Sequence, residues 1–316
     1  MIRTSLRRAI VPGIASLALV LSACGGDDAE SVDGDVTGEV AVDGSSTVYP
    51  MSATAEEMLA EEGSAVEVSV GFSGTGGGFE KFCAGQTDVS NASRPIKDEE
   101  AAVCEENGVE YTELLVATDA LTVVVHPDLA VDCLTSDQVV ELFSPDSKAK
   151  KWSDLDASFP DTDIAGFIPG TDSGTYDYMA ADVVQHETEA LRNDFEASED
   201  DNILVQGVSG TEGGVGFFGY TYFEENADKL KALSIDDGAG CVEPSAETAQ
   251  AGEYSPLARP LFIYVDNAKY NDNEAVAAYV DFYVENLTTV AETAQYIPLS
   301  EEALSETEEK LAGMAG

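Results

Sequence analysis

One local arrangement recurs three times in this chain and constrains its fold more than any other feature: a β-branched run ends in glycines and hydroxyl residues, and a helix-forming stretch follows. Glu39-Val40-Ala41-Val42 runs into Asp43-Gly44-Ser45-Ser46-Thr47, then a helix to about Glu62. Val66-Glu67-Val68-Ser69-Val70 alternates as a strand and runs into Gly71-Phe72-Ser73-Gly74-Thr75-Gly76-Gly77-Gly78, then a short helix from Phe79 to Ala84. Ile164–Ile168 is a third strand, followed by Pro169-Gly170-Thr171-Asp172-Ser173-Gly174-Thr175 and a helix from Tyr176 to about His186. Such alternation predicts an α/β fold. Ligands of open α/β sheets bind beyond the carboxyl ends of strands. Helix N-termini present unpaired N–H groups to anions, glycine permits close backbone approach, and serine and threonine add neutral donors. Ser, Thr and Asp are also ordinary helix caps, so a single corner of this kind carries little; three at strand ends point to a shared anion.

Charge works against that anion. Asp and Glu number 61 against 15 Lys and Arg, a formal net charge of −46. This acidity excludes non-specific binding to nucleic acid and bears on solubility, not on fold. Local donors must therefore supply the attraction. The segment after residue 24 contains only three arginines: Arg94, Arg192 and Arg259. Arg94 follows the helix of the second corner, and its planar guanidinium suits a phosphate group. Arg192 lies in a polar stretch and reads as a surface residue. Arg259, before Pro260 and a strand Leu261–Val265, reads as structural.

The N-terminus sets the compartment. Arg3, Arg7 and Arg8 precede an apolar stretch from Ile10 to Val20. That stretch is shorter than the roughly 20 residues needed to span a bilayer, so residues 1–23 read as a signal peptide. Leu21-Ser22-Ala23-Cys24 resembles a bacterial lipobox, which implies cleavage before Cys24, lipidation of its thiol and a membrane anchor on the extracytoplasmic side. Residues 24–38, rich in Gly, Asp and Ser, read as a flexible tether. Cys83, Cys104, Cys133 and Cys241 then form an even set. In an exported chain this suggests two disulfides with three possible pairings. The short separation of Cys83 and Cys104 favours Cys83–Cys104 and Cys133–Cys241. No C-x-x-C pair occurs, and His126 and His186 lie in unrelated segments, so no metal site or other cofactor is expected.

Four motifs carry a resemblance to a known family: Asp43-Gly44-Ser45-Ser46-Thr47-Val48-Tyr49-Pro50, the Ser73–Lys81 loop, Ser90-Asn91-Ala92-Ser93-Arg94-Pro95-Ile96, and Asp172-Ser173-Gly174-Thr175-Tyr176-Asp177. In this order they resemble the phosphate-binding component of bacterial high-affinity phosphate ABC transporters. The resemblance continues through Val205–Gly210, Gly216–Tyr220 and Arg259–Val265. It implies a two-lobed periplasmic-binding-protein fold of type II, a Venus flytrap in which each lobe is a mixed sheet flanked by helices. Crossovers near Val116–Asp119 and Pro256–Arg259 would divide it into residues 36–118 plus 257–316 and residues 119–256. The implied phosphate contacts are Ser46, Thr47 and Val48 in the first corner, Ser73 and Thr75 in the second, Arg94, and Ser173, Gly174 and Thr175 from the opposite lobe. The implied partners are inorganic phosphate and an ABC permease, for a monomer that does no chemistry.

Two departures stand out. Well-known members of the family carry an aspartate where Ser93 stands, which accepts the proton of hydrogen phosphate, and an arginine where Pro169 stands. Here the arginine is Arg94, in a Ser-Arg-Pro version that resembles a second branch. The proton acceptor is thereby left to Asp43 or Asp172, on neighbourhood alone. Two other readings stay open. The hydroxyl corners also suit a receptor for sulfate, molybdate or phosphonate, against which Arg94 and the motif match argue. A secreted phosphate-handling enzyme lacks support from any Gly-Lys-Ser/Thr loop or Gly-x-Ser-x-Gly elbow. Among the rest, Gly213–Phe218 reads as a turn into a buried strand. Tyr279, Phe282 and Tyr283 read as the core face of a helix over 273–286. Trp152 reads as a surface aromatic beside the basic cluster Lys148–Lys151.

Overall fold

The computed structural model describes residues 36–171, 173–188 and 190–314. The expected signal peptide, Cys24, most of the expected tether and Asp172 lie outside the described residues. The strands are β1 (Thr37–Gly44), β2 (Ala65–Val70), β3 (Val89–Ala92), β4 (Tyr111–Val125), β5 (Cys133–Thr135), β6 (Ala165–Pro169), β7 (Glu196–Ser198), β8 (Gly214–Gly219), β9 (Lys231–Ala232), β10 (Ser234–Asp236), β11 (Cys241–Val242) and β12 (Ala258–Asp266). Thr37 and Gly38, assigned from sequence to the tether, are part of β1 and pair with Ala65 and Val66.

The main sheet runs β2-β1-β3-β12-β4-β8-β6-β7, with β9 also on β4. The 15-residue β4 organises it. Its first part pairs antiparallel with β12, and from Leu121 onward it pairs with β8. The register sets Arg259 opposite Asp119 and Ala258 opposite Ala120 at the changeover. Hydrophobic clusters gather on each side. One is built from Val40 to Ala117 together with Leu261 to Met314, the other from Leu121 to Leu257. Parallel pairing of β1 with β2 and β3, and of β6 with β7 and β8, sends the three Gly-hydroxyl corners out of strand carboxyl ends. The fold is mixed α/β and two-lobed.

Helix α1 (Tyr49–Glu61) carries Pro50 in its first turn, which tolerates it because the missing N–H has no helical partner there. It buries Met51, Ser52, Ala55 and Leu59 along one face. Helix Glu274–Glu285 buries Tyr279, Phe282 and Tyr283, as their spacing predicts, and the Tyr279 hydroxyl donates to the Ser52 carbonyl at 3.0 Å. Helix α2 (Gly74–Cys83) starts five residues earlier than expected, inside the glycine run. Glycine is a poor helix former, but packing overrides propensity here. A Cβ on Gly78 would stand 2.5 Å from the Gly44 Cα and 2.9 Å from the Ser90 Oγ. Only glycine lets α2 sit this close to the end of β1.

The third corner departs further. The expected single helix is a turn of α-helix (Gly174–Asp177) followed by a π-helix (Tyr178–Val184), closed by Gln185 with φ 52°. Wider turns of this kind are frequent at functional sites.

Two placements correct the sequence reading. Trp152 is fully buried, and its Nε1 donates to the Gly213 carbonyl at 3.2 Å. Arg192 is also buried. It donates to the Leu142 and Ala149 carbonyls and to Asp194, with its guanidinium 4.2 Å from the centre of the Phe195 ring. The sequence around each is polar, but distant backbone supplies the partners. Both disulfides are present, Cys83–Cys104 and Cys133–Cys241. Lys150 and Lys151 of the basic cluster are paired with Asp194 and Asp161.

Candidate anion-binding cleft

A cavity of about 380 Å³ is lined by Ser45, Ser46 and Thr47 of the first corner, Gly74–Gly76 of the second, Ser93, Arg94, Arg259, and Asp177, Tyr178, Ala181 and Asp182 of the helical segment that follows the third corner. Corners far apart in sequence thus meet beside β12, next to the point where β4 changes partner from β12 to β8. The geometry is tight. Ser45 N donates to the Asn91 carbonyl at 2.9 Å, which ties the first corner to β3. The Tyr296 hydroxyl donates to the Thr47 carbonyl at 2.7 Å. Thr75 Oγ1 accepts from Ser93 N at 3.2 Å and lies 3.1 Å from the Ser93 Oγ. A Cβ on Gly174 would stand 4.0 Å from the Thr47 Cα, so the third corner faces the first directly. Thr47, Gly174 and Thr175 line a second cavity of about 150 Å³, with Asp119 and Asp201.

The residues singled out from sequence fall into three groups. Ser46, Thr47, Thr75 and Arg94 line the larger cavity. Gly174 and Thr175 line the smaller one, and the Ser173 Oγ caps its own helix by accepting from Thr175 N at 3.2 Å. Val48 is fully buried, and Ser73 turns aside to donate to the Asp43 carboxylate at 2.6 Å.

Asp43 is engaged on both oxygens, since Lys81 Nζ stands 2.6 Å from the other. Burial raises its pKa, but Lys81 and Ser73 outweigh burial and hold the carboxyl below its usual value. It is not among the residues lining either cavity. Neither His126 nor His186 lines them.

Arg94 sits at the wall with its fork turned onto Glu100, in two hydrogen bonds of 2.7 and 2.8 Å. Arg259, read from sequence as structural, is the second guanidinium of the cavity. Its Nε donates to Asp119 at 3.2 Å, Nη2 to the Thr47 Oγ1 at 2.8 Å, and Nη1 to Asp182. The guanidinium lies 3.6 Å from the centre of the Tyr178 ring, a cation–π contact. Arg259 and Asp119 are nearly buried, with side-chain exposures of 11% and 9%. Burial pushes the Asp119 carboxyl up while Arg259 pulls it down, and the balance stays raised. No local pattern marks Arg259. The signal was its place at a predicted crossover, where a charged side chain has no reason to be apolar packing.

Substituting alanine at Gly78 is expected to push α2 off Gly44 and move Thr75 and Ser45 apart. Anion affinity should fall about tenfold or more, because placement of donors to within an ångström decides such sites. Titration calorimetry on a variant whose circular dichroism is unchanged reads this. Equal affinity in Gly78→Ala and wild type would show that the approach is not needed.

A family model for a PBP superfamily domain matches residues 29–286. Protein SphX of Synechococcus elongatus is 45% identical, over 84% of this chain and 78% of its own length. The phosphate-binding protein PstS of Staphylococcus saprophyticus is 40% identical, over 95% of this chain and 92% of its own. The crystal structure of a possible phosphate binding protein from Planctomyces limnophilus is similar with a TM-score of 0.84 at 43% identity, covering 89% of this chain and all of that one.

Proposed function

From a chain that belongs to the PBP superfamily and, within it, to the family of SphX and the phosphate-binding protein PstS, we infer a receptor that captures inorganic phosphate between two lobes and hands it to an ABC permease. One observation carries the reading. In a chain of net charge −46, hydroxyls, the N-terminus of α2 and two guanidiniums converge on one cavity beside the strands that link the lobes. Those donors offset the mean field that an anion must cross.

The phosphate contacts in this reading are Thr47 with its neighbours Ser46 and Val48, Thr75, Ser93, Arg94 and Arg259 on one side. Ser173, Gly174 and Thr175 approach from the other. Ser73 is a support, since its hydroxyl is committed to Asp43. The lobes are residues 36–118 with 257–316, and residues 119–256, and closure is a hinge motion at Asp119 and Arg259. The N-terminal segment exports the chain, and lipid on Cys24 holds it as a monomer at the outer face of the cell membrane, within reach of the permease. Binding, not catalysis, is the task.

Calorimetric titration tests this. Phosphate should bind tightly, and sulfate, which carries no proton at neutral pH, should bind at least a hundredfold more weakly. A site built to pair with a ligand's O–H discriminates in this way. Tight sulfate binding without phosphate binding would overturn the specificity.

A further inference from the structure

The larger cavity is lined by as many carboxylates as guanidiniums, and each guanidinium has a further carboxylate on it outside the lining. Arg94 and Arg259 face it, with Asp177 and Asp182 in its wall, and Glu100 and Asp119 on the two arginines. The carboxylates on Arg259 differ in kind. Asp119 stands opposite it in the β4–β12 register and is buried, so it holds the Nε edge of the guanidinium in place. Asp182 comes from the π-helix of the other half of the cleft and is 55% exposed. It takes Nη1, while Nη2 serves Thr47. The Tyr178 ring, four residues earlier on the same π-helix, lies under the guanidinium and leaves its edge free to change partner.

Resting on the phosphate-binding reading, we propose that Asp182 is a resident counter-anion: a tethered carboxylate that phosphate displaces from Nη1 of Arg259. Geometry favours Asp182 over the other carboxylates. Asp119 is enclosed, and Glu100 holds Arg94 through both oxygens while also accepting from Lys97 N at 2.9 Å. Asp182 has one contact to give up and open solvent to enter. Displacement has two consequences. The site trades a carboxylate for phosphate at constant Arg259 geometry, so the guanidinium is never left without an anion. The exchange also sets affinity below what the donors alone would give, because each phosphate bound must break one ion pair and then sit near the carboxylate it has moved. Asp182 thereby acts through Arg259 as a positioning residue that tunes affinity.

The test compares phosphate titrations of wild type, Asp182→Asn and Asp137→Asn. The last removes one exposed charge that lines neither cleft cavity. Asp182→Asn should bind phosphate about fivefold more tightly, the order set by a partly exposed ion pair that no longer has to be broken. Asp137→Asn should stay within twofold of wild type. A structure of the wild type with phosphate should place Nη1 of Arg259 on the phosphate and Asp182 beyond hydrogen-bond reach. Unchanged or weaker binding by Asp182→Asn, a gain no larger than that of Asp137→Asn, or an Arg259–Asp182 bond that persists with phosphate bound would each overturn the proposal. Wild type that fails to bind phosphate would instead overturn the functional reading on which the proposal rests.

Discussion

Arg259→Gln is expected to lower phosphate affinity by about a hundredfold or more, the largest loss from any single substitution in the cleft. Truncating one member of a desolvated, hydrogen-bonded charge pair costs about 2–5 kcal/mol, much of it from leaving the partner unpaired. Arg259 makes one such pair, with the buried Asp119, and its other arms donate to the Thr47 hydroxyl and to the more exposed Asp182. Arg94→Ala should cost less, about tenfold, because Arg94 is a third exposed and already bound through both arms to Glu100. If the order of the two losses is reversed, Arg94 is the principal cationic ligand and Arg259 is scaffold.

The same substitution has a pH signature in stability. Without Arg259, Asp119 loses the partner that opposes its desolvation. Its pKa in the folded chain, already raised, moves further above the unfolded value. The native state then binds more protons than the unfolded state between those two values, so stability falls as pH rises through that window. Arg259→Gln should therefore be more destabilised at pH 8 than at pH 5, relative to wild type. Urea unfolding at the two pH values reads this, and an equal deficit at both would mean that Asp119 does not titrate with the loss.

The second large effect is on the half of the molecule that Cys133–Cys241 encloses. That bond closes a sequence separation of 108 residues, and Cys83–Cys104 one of 21. In the chain-entropy account, closure of the longer loop contributes up to about 5 kcal/mol and the shorter about 3 kcal/mol. Cys133 and Cys241 lie in β5 and β11, the outer strands of the small sheet β11-β10-β5, whose Leu134 and Ile235 belong to the cluster built from Leu121 to Leu257. The Cys133→Ala/Cys241→Ala double variant should lower the melting temperature of that half. Cys83→Ala/Cys104→Ala should act less, and on the other half. Scanning calorimetry of both variants separates the two. A larger loss from Cys83–Cys104 would show that local packing, not loop closure, sets the contribution.

The three corners were legible because each is written in consecutive residues. A β-branched run, glycines, hydroxyls and a helix lie within about a dozen positions, and backbone preference reads them without tertiary help. The core stripe of helix Glu274–Glu285 was legible for the same reason, through its spacing. The start of α2 was not. Three successive glycines, Gly76 to Gly78, argue against helix by propensity, and the close approach of Gly78 to Gly44, which only glycine permits, involves a strand end more than 30 residues away. Trp152 and Arg192 failed similarly, because their partners at Gly213 and Leu142 come from distant backbone.

Sequence by itself determined that this chain folds as α/β, that donor-rich corners end its strands, and that any anion it holds must be drawn in against a strongly acidic surface. Tertiary structure decided which charges meet that anion. Arg259 lies 140 residues from Asp119 and 212 from Thr47; the antiparallel register of β4 with β12 sets it opposite Asp119, and the pairing of β1 with β3 and of β3 with β12 brings Thr47 to it. Local propensity fixes how the backbone turns over a few residues. Pairing between distant strands fixes which side chains share a cavity, and no short stretch of sequence records that.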